Sequence, residues 1–589
     1  MKIVFKFALM VEVKTKIIKK PASYFKAPPN LVGYDKAYRQ FSWSEAEKEL
    51  DWFENKRLNA AYNAVDRHAR NFRKNKQSLI SRANKVALYW LGKEDEKKKF
   101  TFAELASLSN QFANLLRDHG VEKGDRVFFF LPRIPELYFG FLGVLKTGAI
   151  AGTLFSAFGP QALLDRLDSA DAKILVTNKE LKKRVDKIRG KLKYLEKIIL
   201  VEDLPELLAK QDKKFKISTT KATDPAFMLY TSGTTGKPKG VIHHHKAILH
   251  EHMTAKWVLD LQENDVYWCT ADPGWVTGIA YGILGCWSNG VSSVVYEGRF
   301  SPEKWYQIIK EYKVTVWYTA PTAIRMMAAT DKDLVKKYDF SSLRHLASVG
   351  EPLNPEAVEW GLKAFGLPFH DNYWQTETGG IVIANYPCLP IKPGSMGKPV
   401  PGVEVAVIDQ EGKKAKVNEI GRLAIKPGWP GMMAKIWRRP QKYQSYFAHG
   451  FYLTGDLAYQ DADGYFWFVG RDDDIIKTSG ERVGPFEVES ALMEHPSVAE
   501  AGVIGKPDLI RGEIIKAFIA LKPGYKKTEE LKEKIAVFVK KHLAGHAYPR
   551  EIEFMDKLPK TRSGKIVRRY LKAKELGLPV GDISTLEKY

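Results

Sequence analysis

From about residue 123 the chain alternates two hydrophobic periods. Short apolar runs are each followed by a stretch whose apolar residues return every third or fourth position. RVFFFL (126–131) reads as a buried strand, and IPELYFGFLGVLKTG (134–148) has a helical period that stops at Gly148. AIAGTLF predicts a strand, QALLDRLDSA a helix and KILVT (173–177) a further strand. The rhythm returns as SSVVYEG, PEKWYQIIKEYK and VTVWYTA. Strand–helix–strand units of this kind predict parallel sheets covered by helices. After about Gly470 the pattern changes. EAGVIG and EIIKAFIAL predict paired strands, EELKEKIAVFVKKHL an amphipathic helix and EIEFM a short strand, together a smaller α+β unit.

A chain of 589 residues is too long for one hydrophobic core, so several subdomains are expected. Its apolar and charged fractions, 44% and 27%, fit a folded chain and exclude a disordered one. The formal charge of +23 admits nucleic acid, a membrane surface or anionic small molecules as partners. The 92 Lys and Arg are spread along the whole chain, which points to solvated surface rather than a nucleic-acid tail. Cys269, Cys286 and Cys388 form neither a disulfide framework nor a zinc pattern, so a reduced cytoplasm is expected. No apolar run approaches the ~18 residues that span a bilayer. The N-terminus places Lys6 inside its apolar run and shows no small-residue cleavage site, so no signal peptide is expected, and Met10 is an alternative start.

The densest chemistry is YTSGTTGKPKG (230–240). Glycines let backbone N–H groups turn toward an anion, and lysine and hydroxyls add charge and donors. A Walker A loop needs Lys followed by Ser or Thr, with a first Gly six residues before that Lys. Here Lys237 precedes Pro238 and no such glycine is present, so the P-loop reading fails. The loop follows the apolar AFMLY and precedes a helix-compatible run, which favours a ligand loop over a plain turn. The run HHH (243–245), read as helix, would send its three side chains in different directions and so makes no metal site.

YTSGTTGKPKG resembles the signature loop of the AMP-forming acyl-CoA synthetases, the adenylating family shared with luciferases and peptide-synthetase adenylation domains. Further motifs follow in that family's order: SVGEP (348–352), DNYWQTETGG (371–380), YLTGD (452–456), GRDDDIIKTSGERV (470–483) and PKTRSGKI (559–566). WCTADPGWVTG (268–278) and YWQTETGG resemble the acetate-activating branch. The likeness runs from about Tyr34 to Thr585. It implies a large α/β domain with parallel sheets and a small β-barrel-like subdomain (34–472), a small mobile α+β domain (473–589), and an uncovered extension (1–33).

The resemblance also implies a two-step reaction. Acetate attacks the α-phosphate of ATP, with Mg2+, releasing diphosphate, and the coenzyme A thiol then takes the acetyl group from AMP. Thr231, Ser232, Gly233, Thr234, Thr235, Gly236 and Lys237 would hold the β- and γ-phosphates, with Thr376 and Glu377 at the α-phosphate and magnesium. Gly350, Glu351 and Pro352 would line the adenine, completed by Asp371, Asn372 and Tyr373, and Gln375 belongs to the same nucleotide motif. Asp456 and Arg471 would hold the ribose, and Arg482 a phosphate. Lys565 matches the family's mobile catalytic lysine, which is also a site of reversible acetylation in relatives. Trp374 would floor the acyl pocket, walled by Trp275, Val276, Thr277 and Val349, favouring acetate, with propionate as the alternative substrate. Asp473 resembles the hinge, Ser479 and Gly480 the pantetheine tunnel, and Lys540 a coenzyme A phosphate contact. Asp472 stands where relatives often show Val. An adenylation domain serving a carrier protein is a further reading, but no carrier sequence follows. A nucleic-acid-binding role is a third; it predicts salt-sensitive affinity for DNA but has no recognition motif behind it.

Overall fold

The computed structural model describes residues 16–69, 72–75, 78–80, 82–231, 238–330, 332–472, 474–478, 481–543, 547–561, 565–580, 583 and 586. Two large sheets carry the architecture. The first has seven strands, in the order Lys435–Ile436, Lys239–His244, Pro225–Thr231, Ile150–Phe155, Arg126–Leu131, Ile174–Thr177 and Lys197–Leu200. The last five run parallel, and Lys239–His244 runs antiparallel to both of its neighbours, Pro225–Thr231 and Lys435–Ile436. The second has nine strands around a parallel centre formed by Ser292–Tyr296, Val266–Cys269, Val316–Thr319, His345–Ser348 and Phe369–Tyr373. Ile174–Thr177, Val316–Thr319 and His345–Ser348 are buried at every position. Helices cover both faces of such sheets, which is why these strands read as unbroken apolar runs.

The helices end where the sequence says they should. Pro135–Thr147 begins on its proline and stops at Gly148, whose φ of +81° is the left-handed conformation of a helix C-terminus. A third, five-stranded antiparallel sheet is built on Phe451–Gln460, flanked by Gly421–Ile425 and Phe466–Arg471. The C-terminal unit has its own core and sheet. Val498–Asp508 and Gly512–Leu521 form a long hairpin, Glu551–Met555 adds in parallel, and Glu529–His542 packs through Ile535 and Val539. The segment from residue 16 crosses the large sheet's edge. Ile18 pairs with Ile391, and the Lys20 ammonium lies 2.7 Å from both His370 Nε2 and the Tyr386 carbonyl. No helix among the described residues is long and apolar enough to cross a membrane.

One expectation is corrected here. The run after Gly240 is strand Lys239–His244, not helix, and a helix (Ala247–Trp257) begins only beyond it. Val241 and Ile242 are β-branched and pair with Leu229 and Met228 across the hairpin, so packing in the sheet overrides the helix-compatible reading.

Candidate active site

Thr231, the turn Gly350–Glu351–Pro352 and the segment Asp371–Glu377 lie at the C-terminal ends of parallel strands or in the loops that follow them, where open α/β sheets bind ligands. Strand Pro225–Thr231 ends in the glycine-rich loop. Thr231 is half-buried, and its hydroxyl finds no partner among the described residues. Ser232, Gly233, Thr234, Thr235, Gly236 and Lys237 lie outside the described residues. The chain returns at Lys239, opposite Thr231 in the hairpin register.

Lys239 was not singled out from sequence, yet its ammonium sits 2.8 Å from Glu377 Oε1, with both side chains about 10% exposed. It also bonds the Tyr446 hydroxyl and stands 4.7 Å over that ring. Burial works against its charge, but Glu377 and Tyr446 outweigh burial and raise its pKa.

Gly350 follows strand His345–Ser348 with φ of +102°, a conformation that calls for glycine. The next carboxylate, Glu351, accepts from Arg325 Nη2 at 2.9 Å and from the Thr322 hydroxyl. On the neighbouring strand Phe369–Tyr373, buried Asp371 accepts the backbone N–H groups of Leu353 (3.2 Å) and Asn372 (3.0 Å). Asn372 receives the Tyr318 hydroxyl at 2.9 Å and donates to the Ser348 carbonyl at 2.8 Å. Asp456, on Phe451–Gln460, accepts from the Tyr373 hydroxyl and from Gln375 Nε2 at 2.8 Å through one oxygen, Oδ2. Tyr452 in turn donates to Gln375 at 2.7 Å. Arg471 lies opposite Asp456 in the adjoining strand. Burial raises the Asp456 pKa, opposed by Tyr373, Arg471 and Lys565.

Trp374 is half-buried. Its indole meets the Tyr281 ring edge-on at 5.2 Å, and its N–H lies 3.4 Å from the Tyr318 hydroxyl. Tyr281 is itself fixed, bonding Thr254 and accepting the Ile381 N–H, both at 2.7 Å. Trp275, Val276 and Thr277 open the helix Val276–Ile279 and are half-buried, while Val349 is buried.

Lys565 enters from the C-terminal unit. Its backbone closes a turn with Thr561, at 2.7 Å and 3.1 Å. Its side chain lines a cleft shared with Thr322, Arg325, Glu351 and Pro352. The crowded cleft lowers its pKa, as do Arg471 and Arg568, while Asp456 and Glu351 favour its charge. Part of the residue still opens to solvent. Asp473, Ser479 and Gly480 lie outside the described residues; Arg482 is on strand Glu481–Val483. Lys540 is exposed on its helix, 5.2 Å above the Tyr548 ring, and is not among the residues lining the cleft.

A pH-dependent prediction arises from Asp371. Burial pushes its carboxyl pKa up to about 8, with the Leu353 and Asn372 N–H groups opposing. A free aspartate titrates near ~3.9. Below that pH both states are protonated and the group is neutral to stability. Above it the unfolded chain ionises while the folded one resists, so the destabilisation grows up to about pH 8. Asp371→Asn removes this effect. Its melting temperature relative to the unmodified chain should rise by roughly 2 °C or more between pH 5 and pH 8. A flat or falling difference in calorimetry would count against a buried neutral Asp371.

Sequence comparisons now place this geometry. The AMP-binding enzyme family matches residues 76–437, and the AMP-binding enzyme C-terminal domain matches 487–565. The chain belongs to this family of adenylate-forming enzymes. Within it the similarity runs over nearly the whole length to acetyl-coenzyme A synthetases. That of Bacillus subtilis (strain 168) is 55% identical, over 95% of this chain and 98% of its own. That of Methanothrix thermoacetophila is 43% identical, over 91% and 86% respectively. Two solved structures share the fold. An acyl-CoA synthetase of Brucella canis has a TM-score of 0.71 at 37% identity, over 93% of this chain and 99% of its own. The anthranilate CoA ligase AuaEII in complex with anthranoyl-AMP has a TM-score of 0.81 at 31% identity, over 91% and 99%.

Proposed function

We propose that this chain is an AMP-forming acetate–CoA ligase, converting acetate, ATP and coenzyme A to acetyl-CoA, AMP and diphosphate through acetyl-adenylate. The observation that carries the acetate reading is Trp374, held against Tyr281 and beside Tyr318, two residues before Thr376. A braced indole at the floor of an acyl pocket would favour a short acyl chain. Propionate is the second substrate this wall admits.

In this reading Asp371, Asn372, Tyr373 and the Gly350–Glu351–Pro352 turn receive the adenine, and Asp456 with Arg471 the ribose. Thr231 and the glycine-rich loop take the terminal phosphates, and Arg482 a further phosphate contact. Glu377 and Thr376 offer oxygen ligands of the kind Mg2+ prefers, one carboxylate with the rest left to phosphate and water. Bound there, Mg2+ would neutralise phosphate charge. Lys565, in the cleft with Glu351 and Pro352, would stabilise charge that builds between carboxylate and α-phosphate.

We assign residues 34–472 to the large domain and 473–589 to a small domain that rotates about Asp473 between half-reactions. Ser479 and Gly480 then border the pantetheine arm, and Lys540 offers a cation to coenzyme A. Lys565 is also the candidate for regulatory acetylation, and the cytoplasm is the expected compartment.

Diphosphate release measured with acetate, propionate, butyrate and isobutyrate, with and without coenzyme A, tests the reading. The expected order is acetate, then propionate, with butyrate at least ~10-fold lower in kcat/KM. Equal or faster turnover of butyrate would overturn acetate specificity, and acid-independent release would overturn the ligase reading.

A further inference from the structure

The histidine run at 243–245 has no part in the function above. It is a strand, so consecutive side chains alternate faces: His243 and His245 are wholly buried, and His244 half-buried between them. His243 shares its face with Lys239, four residues earlier, whose ammonium holds the Glu377 carboxylate. Its ring stacks on Phe227 at 4.9 Å, and its Nδ1 lies 3.2 Å from the Gly431 carbonyl.

Gly431 belongs to the segment 429–433, which lies across the short helical turn Thr376–Thr378. The Met433 N–H donates to the Glu377 carbonyl at 2.9 Å, and the Trp429 indole N–H donates to the Thr378 carbonyl at 2.8 Å. The turn ends at Gly379, with φ of +67°. A Cβ there would meet the Gly431 oxygen at 1.9 Å and the His243 Cε1 at 2.9 Å. Turn, covering segment and imidazole are thus in direct contact, with no room for a side chain between them.

We propose that His243 and Trp429 are positioning residues: they clamp segment 429–433 onto the Thr376–Glu377 turn and so fix the oxygen atoms that meet the metal–nucleotide complex. The proposal rests on the adenylation reading above. One strand face then controls Glu377 twice, through its carboxylate by Lys239 and through its backbone by way of His243, Gly431 and Met433. The Gly431 carbonyl can only accept, so Nδ1 carries the proton. Burial holds the His243 pKa at about 4, against the carbonyls of Gly431 and Thr376, so the ring is neutral through the physiological range and the clamp does not titrate there. Near-attack geometry is sensitive on this scale, since a displacement of ~1 Å can cost ~100-fold in rate.

The amide of asparagine can donate from the place of Nδ1, whereas that of glutamine reaches the place of Nε2. This separates a directional hydrogen bond from simple filling of space. The experiment compares His243→Asn, His243→Gln and Trp429→Phe in three readouts. These are single-turnover diphosphate release with acetate, thioester formation from supplied acetyl-AMP and coenzyme A, and Mg·ATP affinity by calorimetry without acid. His243→Asn should stay within about threefold of the unmodified enzyme, and His243→Gln and Trp429→Phe should lose roughly 10- to 50-fold in diphosphate release. Thioester formation should change by less than about threefold in all three, since only the first half-reaction uses the clamped turn to hold the metal.

Equal diphosphate release by the Asn and Gln variants, or a parallel fall in thioester formation, overturns the proposal. If His243→Gln does not fold, Trp429→Phe decides: selective loss of the first half-reaction supports the clamp, and unchanged release overturns it. If the unmodified enzyme turns over no acid, the ligase reading fails by itself. The clamp is then judged on Mg·ATP affinity, where a Gln variant at least about fivefold weaker than Asn supports it and equal affinities overturn it.

Discussion

Lys565→Ala should lower acetyl-adenylate formation by at least ~1,000-fold while thioester formation from supplied acetyl-AMP stays within a few-fold of the unmodified enzyme. The asymmetry follows from where charge develops. In the first half-reaction a carboxylate oxygen attacks a phosphate already dense in negative charge, and a mobile cation at that point stabilises the transition state more than the bound substrates. In the proposed reading Lys565 is that cation. It stands in the cleft with Glu351 and feels Asp456, while Arg471 and Arg568 and the crowded surroundings keep its proton less tightly bound than in free lysine. In the second half-reaction the acyl group is already activated and the attacking thiol brings no phosphate to neutralise, so this cation has less to do. Rapid-quench diphosphate release beside thioester synthesis separates the steps. Equal loss in both, or none in the first, removes Lys565 from the reaction.

Trp374→Gly should reverse the order of acids, with kcat/KM for butyrate relative to acetate rising by at least ~100-fold. A floor removed under the acyl chain rewards each added methylene by ~1–3 kcal/mol where it fits, and steric exclusion of butyrate ends at the same time. Acetate loses its contact with the indole and should weaken. The change also leaves Tyr281 without its edge-on partner and the Tyr318 hydroxyl without the indole N–H. Truncating a buried tryptophan costs ~3–5 kcal/mol, and a half-buried one less, so thermal unfolding must be followed in parallel. A folded variant with an unchanged order of acids would show that another residue bounds the pocket.

The parallel sheets were legible because their strands are buried on both faces and read as unbroken apolar runs. RVFFFL and the helix ending at Gly148 fall where the pattern placed them. The small unit was legible through alternation, and EAGVIG and EIIKAFIAL do pair antiparallel. The histidine strand was misread because a short run after a loop has no clear period; only its pairing with Pro225–Thr231 settles it. Site residues carried by contiguous motifs could be named from sequence, and Glu351, Asp456 and Lys565 do meet electrostatically around one cleft. What supports those residues could not be named. Gly431 lies 188 positions from His243, and Tyr318 lies 56 from Trp374. Neither pair has any local signature, because the fold alone brings them together.

The Lys239–Glu377 pair has a consequence for how substrates load. Before nucleotide arrives, the carboxylate that would face a divalent ion already has a tethered monovalent one beside it. A bare magnesium ion must then compete with a cation that never diffuses away, whereas the ion arriving on ATP brings phosphate anions that can receive the displaced ammonium. In the proposed reading the hairpin would exchange counterions and favour entry of metal and nucleotide as one unit over entry of the metal alone.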